Sequence, residues 1–165
     1  MPAPLEGDVT RWRGANARLL SGGRDVLTPR HDTGRRLRAV GPAARLHVVP
    51  HTDMQPGAPL PAPRPLAEGR PLKVVVIGAL SAIKGADVLE AAAIEAVRRQ
   101  APVEFHLVGY GYRPLRTQPR AALTVHGEYK DEELPRLLDW LQPDIAWFPA
   151  QWPETYSYTL SAALQ

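Results

Sequence analysis

The sequence predicts an α/β fold built on a parallel, Rossmann-like sheet, and three observations carry that expectation. Val74-Val75-Val76-Ile77 is a β-branched run of the kind found in a central strand buried on both faces. Further strand-like runs follow at Val103 to Val108, Leu123 to His126 and Asp144 to Phe148. Helical stretches separate them, and Ala86 to Arg99 offers Val88, Leu89, Ala92, Ala93, Ala96 and Val97 as an apolar face. Strands that alternate with helices at this spacing argue for parallel pairing with right-handed crossovers.

Ahead of this sheet the signal is weaker. Residues 1–24 show little periodicity, and Arg18-Leu19-Leu20 reads as a helix end stopped by Ser21-Gly22-Gly23. Asp25 to Pro29 reads as a short strand. His31 to Val40 reads as a short helix, with Asp32 near its start and Gly41-Pro42 beyond its end. Leu46 to Pro50 is another short strand. From Met54 to Pro71 six prolines crowd the chain, so this stretch is expected to be an extended, semi-rigid linker or a surface loop.

From Lys73 the expected order is strand, turn over Gly78 to Gly85, helix, strand, and a chain break at Gly109 and Gly111. A loop rich in proline and arginine then runs to Arg120. A third strand follows, then a helix from Asp131 to Leu141 that tolerates Pro135 near its start. Asp144 to Phe148 reads as a buried strand ending at Pro149, and Ser157 to Leu164 as the start of a helix.

Composition narrows the classes. At 165 residues, 44% hydrophobic and 22% charged, the chain is an ordinary globular sequence with enough apolar material for a core. It has no cysteine, which excludes disulfides and thiolate metal sites. No apolar run approaches the roughly 20 residues of a membrane span, and no signal-peptide core opens the chain, so a cytoplasmic address is expected. Charge is uneven. Residues 1–70 hold 11 Arg against 6 Asp or Glu, a balance of +5, and residues 71–165 hold 9 Lys or Arg against 11, a balance of −2. The basic front suits anionic lipid or a solvated surface. Aromatics are not interleaved with its arginines, which argues against a nucleic-acid partner.

Two loops hold the residues suited to chemistry. Lys84 follows the first strand of the main sheet, where a lysine neutralises a diphosphate while Gly78 and Gly85 let backbone approach it. Glu154 lies between the fourth strand and the last helix, beside Ser157, Tyr158 and Thr159, where helix-start amides favour phosphate. A phosphate there, with Glu154 facing hydroxyl groups, describes a nucleotide sugar. The plainer readings are a surface lysine, a solvated glutamate in a Pro-Glu turn, and a turn at Gly109-Tyr110-Gly111. The five histidines form no ligand set.

Four motifs stand in an order that resembles the retaining GT-B glycosyltransferases of family four. Gly78-Ala79-Leu80-Ser81-Ala82-Ile83-Lys84-Gly85 looks like their first phosphate loop. Leu107 to Gly111 and Gly127 to Leu134 follow in sequence, and Pro153-Glu154-Thr155-Tyr156 looks like the opening of their E-x7-E motif. The resemblance covers about Arg45 to Gln165. The chain departs from the pattern at Ala79, where an arginine is common, and at Ala162, where the second glutamate of the motif would stand.

The resemblance implies a partial GT-B fold: residues 1–53 as a remnant of the N-terminal domain, 54–71 as the linker, and 72–165 as a donor-binding domain incomplete at its C-terminus. It implies transfer of a sugar, with retention, from a nucleotide-sugar donor to a glycan or lipid-linked acceptor of a bacterial surface polysaccharide. Peripheral contact at the inner membrane face would accompany a lipid-linked acceptor. Glu154 would be the catalytic carboxylate, and Gly78, Lys84, Gly85, Gly109, Ser157, Tyr158 and Thr159 would bind the donor. No metal or other cofactor is implied, and the piece alone is expected not to turn over. A non-catalytic nucleotide-sugar binding module is the alternative, favoured by Ala79 and Ala162. A sugar-nucleotide epimerase shares the fold and stays open as a lesser enzyme reading. A receiver-like signalling domain is set aside, because Ile77-Gly78 stands where it needs acidic residues after the first strand and His126-Gly127 where it needs an aspartate after the third.

Overall fold

The computed structural model describes residues 8–41, 45–49, 62, 65, 68–154 and 157–163. The chain divides into two compact units, Met1–Ala58 and Pro59–Gln165. Most of the expected linker at 54–71 lies outside the described residues, as do Thr155 and Tyr156.

The first unit is helix, strand, helix, strand. Helix α1 (Val9–Gly22) starts at Asp8, whose carboxylate accepts a hydrogen bond from the Arg11 amide at 2.9 Å. Only its end is legible in the sequence, because none of its residues is buried and no apolar stripe betrays it. Strand β1 (Val26–Thr28) and strand β2 (Leu46–Val48) pair in parallel, Val26 opposite Leu46 and Thr28 opposite Val48. Helix α2 (His31–Val40) links them and closes with the Gly41 amide donating to the Leu37 carbonyl at 2.8 Å.

The second unit holds a four-stranded parallel sheet. Strand β3 (Leu72–Leu80) and strand β4 (Val103–Gly111) form its centre, paired over nine residues from Leu72–Val103 to Leu80–Gly111. Strand β5 (Leu123–Val125) flanks β4, and strand β6 (Ile145–Ala146) flanks β3. Helix α3 (Ala86–Arg98) covers one face and helix α4 (Leu134–Leu141) the other. Alternation along β3 decides which residue meets which helix. Val74 and Val76 join Leu89, Ala93, Phe105, Leu107 and Leu123, whereas Val75 and Ile77 join Val108, Leu134 and Leu141. Burying Leu89, Leu107 and Leu123 completely stabilises the fold by about 1.5–3 kcal/mol each.

The structure corrects the expected elements in three places. Gly78 and Gly109 do not end their strands. They pair with each other across β3 and β4, at φ of +108° and +136°, and both strands run on. Their lack of a side chain serves close approach of the two backbones, so the turn begins only at Ser81. The apolar face of α3 is narrower than expected: Ala86, Leu89, Ala93 and Ala96 are buried, while Val97, in the last turn at the margin of that stripe, is exposed. Strand β6 holds two residues rather than five, and both are exposed, because it lies at the sheet edge with a strand partner on one side.

Edge strand β6 is anchored from its start. Asp144 accepts from Arg70 at 2.8 and 2.7 Å and from the Lys73 amide at 2.8 Å, which ties the chain before β3 to the chain before β6. The Arg70 guanidinium, and then the Lys73 amide, hold the Asp144 carboxyl below the usual carboxylate range. The loop after β4 is clamped to α3 in a similar way. Arg113 reaches Glu90 at 2.8 Å and also Asp87, and the Arg116 amide donates to Glu90 at 2.6 Å. Among the described residues no helix is long and apolar enough to cross a membrane.

Candidate functional site

Parallel strands all finish at one edge of the sheet, so the loops that follow them are brought together there. A cleft opens at that edge, beyond the carboxyl ends of β3 and β6. Gly78, Ala79 and Leu80 of β3 line it, with Lys84 from the following turn. Trp147, Phe148, Pro149 and Ala150 contribute from the chain after β6, then Glu154, and Thr159 from helix α5 (Tyr158–Ala163). Its volume is about 90 Å³, below the roughly 300–1,000 Å³ of pockets that enclose a whole small ligand. It has room for one end of a nucleotide sugar and is open to solvent beyond.

Local contacts explain why Lys84 and Glu154 share this cleft although 70 residues part them. The Gln151 amide donates to the Ile83 carbonyl at 2.9 Å, joining the loop before Glu154 to the turn that carries Lys84. Beneath that bond Gly85 is buried against Pro149: a Cβ on Gly85 would stand 2.3 Å from the Pro149 carbonyl oxygen. Gly85 also takes φ +90°, which lets the chain turn into α3. Ser81 steadies the same turn by accepting from the Lys84 amide at 3.3 Å. Among the described residues neither the Lys84 ammonium nor the Glu154 carboxylate has an ion pair or hydrogen bond, so both side chains are free for a ligand.

The other expected site residues divide. Gly78 and Thr159 line the cleft and touch there: a Cβ on Gly78 would meet the Thr159 methyl at 3.3 Å. Gly109 does not line it and instead packs against the Gly78 carbonyl. Gly85 lies under the cleft floor rather than in it. Ser157 is occupied as the cap of α5, its hydroxyl accepting from the Leu160 amide at 3.3 Å and lying 3.2 Å from the Thr159 hydroxyl. That bond takes one of the amides expected to face phosphate, and α5 is only six residues long. Tyr158 is exposed and outside the cleft lining. Ala162 packs against the α4-side core and is not among the residues that line the cleft.

Trp147 and Pro149 are site residues that the sequence reading passed over. Trp147 continues the pairing of β6, its amide donating to the Val75 carbonyl at 2.8 Å, and its ring packs on Phe105 at 5.9 Å. Their signal was the aromatic-aromatic-proline run at the carboxyl end of an apolar stretch, where ligands of open α/β sheets bind.

A second polar cluster lies away from this cleft, on the α4 side of the sheet. His106 Nδ1 stands 3.1 Å from His126 Nε2, and the two rings stack. Trp140 of α4 meets His126 edge-on. His106 Nε2 is buried without a hydrogen bond, and the nearest carboxylate, that of Glu104, is 3.4 Å away and poorly aligned. Burial, and then the charge of His106, push the His126 imidazole below its ordinary value. The sign follows. The folded state favours neutral His126, the unfolded chain binds its proton near pH 6.5, and stability falls as pH drops below that point. The melting temperature is therefore expected to decline from pH 7 to pH 5. Glu90, Glu95 and Asp144, whose carboxyls are held low by arginines, act only below about pH 4.5. His126→Gln should flatten the slope between pH 7 and 5. An equally steep slope in that variant would refute the assignment to His126.

Among the described residues no group of three or more His, Asp or Glu side chains is arranged to hold a metal ion. No protein-family model, curated protein or solved structure matches the chain.

Proposed function

We propose that the Pro59–Gln165 unit binds the diphosphate-sugar end of a nucleotide sugar and serves as the donor-binding part of a retaining glycosyltransferase with a GT-B architecture. One observation carries this reading: Lys84 and Glu154, both without partners among the described residues, line one cleft at the carboxyl edge of a parallel sheet. Lys84 supplies positive charge to the diphosphate, and Gly78 leaves room for it to approach the end of β3. Glu154 accepts hydrogen bonds from sugar hydroxyls and stabilises the positive charge that grows on the sugar carbon as the bond to phosphate lengthens. The acceptor is a glycan or a lipid-linked sugar, and a lipid-linked one would bring the protein to the inner membrane face. Trp147 and Pro149 give the cleft an apolar wall suited to a sugar face.

Ala162 favours the second reading, a nucleotide-sugar binding module without transfer. Its side chain packs against the α4-side core, and α5 (Tyr158–Ala163) holds no carboxylate that could meet a ribose.

Titration with UDP-, GDP- and dTDP-sugars tests both readings at once. One donor is expected to bind, and Lys84→Gln should weaken it about ten- to a hundredfold by removing a charge-assisted contact. Calorimetry reads the change. Equal affinity in the variant, or no binding of any donor, would discard the cleft as a diphosphate site.

A further inference from the structure

We infer that the Met1–Ala58 unit carries an anion site of its own, which takes a phosphate group in the cavity between α2 and β2. The inference uses this unit alone and is independent of the nucleotide-sugar reading. Among its described residues nine arginines stand against three aspartates. Each of those carboxylates is already engaged. Asp8 caps α1, Asp25 meets His47 at 2.8 Å, and Asp32 is shared by Arg35 and Arg36. The unit therefore holds positive charge that its own described acids do not answer.

The cavity gathers that charge at one place. It measures about 160 Å³, enough for several waters and so for a tetrahedral oxyanion with part of its hydration. His31, Arg35 and Arg38 line it from α2, at the four- and three-residue steps that put side chains on one helix face. Leu46 and Val48 of β2 form its floor, and among the described residues no carboxylate is in the lining. Among the described residues the side chains of Arg38 and His31 have no ion pair or hydrogen bond. Gly34 is buried between them, and a Cβ there would press on the Thr28 hydroxyl at 3.2 Å, so the helix lies close to the sheet at this point. An arginine fork above an apolar floor, with an imidazole two turns away, suits the several oxygens of a phosphate.

Phosphate could arrive free, as inorganic phosphate or a soluble phosphomonoester, or as a lipid headgroup. The experiment titrates the whole chain with inorganic phosphate by calorimetry and measures its sedimentation with phosphatidylcholine vesicles, with and without phosphatidic acid. Binding of either probe, weakened about tenfold or more in Arg38→Gln/His31→Gln, supports the site, and the probe that binds names the source. Arg38→Lys, which keeps the charge but loses the fork, should retain only part of the binding, and each variant is made in a Lys84→Gln background so that the cleft of the other unit does not contribute. Equal binding in the double variant overturns the inference. So does an equal loss in Arg11→Gln/Arg13→Gln on α1, which would mean diffuse attraction to a basic surface. Binding of neither probe overturns it as well.

Discussion

Gly109→Ala is expected to lower the stability of the fold by about 2–5 kcal/mol, combining overpacking with a backbone angle that side chains resist. A Cβ at this position would lie 2.1 Å from the Gly78 carbonyl oxygen and 2.7 Å from its carbon. Both are backbone atoms of the central strand, so no side chain can swing aside to make room. The φ of +136° adds strain whatever the space. Two other glycines separate these causes. Gly127 has φ +86° but nothing within 4 Å of an added Cβ, so Gly127→Ala should show the backbone term alone, about 1–2 kcal/mol. Gly14 sits in α1 with open space around it, and Gly14→Ala should stabilise that helix by up to about 1 kcal/mol. Urea denaturation of the three variants checks the order. If Gly109→Ala unfolds at the same urea concentration as Gly127→Ala, the close approach of β3 and β4 is wrong.

The same glycines show where residue patterns stop informing. Glycine in a sequence marks permissive backbone, and a turn is its commonest use. Only the partner strand reveals that Gly78 and Gly109 face each other, and that pairing is 31 residues long in sequence terms. Helix α2 was legible to the residue because a proline and a glycine bracket it and Asp32 marks its first turn. Helix α1 was not, since a helix that buries nothing leaves no stripe to read. Strand β6 misled for the converse reason: its apolar residues suggested two covered faces, whereas its place at the sheet edge leaves Ile145 and Ala146 exposed. For the site, loop position was enough to set Lys84, Glu154, Gly78 and Thr159 at one cleft, because parallel strands deliver their loops to one edge. Direction within a helix was not. Whether residue 162 faces the cleft or the core depends on how α5 docks, and it docks with Ala162 inward.

On the proposed function, and in a protein that carries this unit together with an acceptor-binding domain, Glu154→Gln is expected to cut sugar transfer about 100- to 1,000-fold while leaving donor affinity within a few-fold. The amide keeps the shape and the hydrogen-bonding oxygen, so ground-state contacts with sugar hydroxyls persist. What it removes is the negative charge, and that charge matters most when the bond from sugar to diphosphate is nearly broken. The loss would therefore belong to kcat rather than to binding, the opposite of Lys84→Gln, whose charge on the proposed function would meet the diphosphate before and during departure. Release of nucleoside diphosphate, measured with and without acceptor, reads the first effect, and calorimetry with the same donor reads the second. If Glu154→Gln weakens donor binding as much as turnover, the carboxylate is a binding group only. If a protein that carries this unit together with an acceptor-binding domain binds a donor and never releases diphosphate, the cleft is a sensor for nucleotide sugars, in keeping with Ala79 in its lining and Ala162 packed on the core.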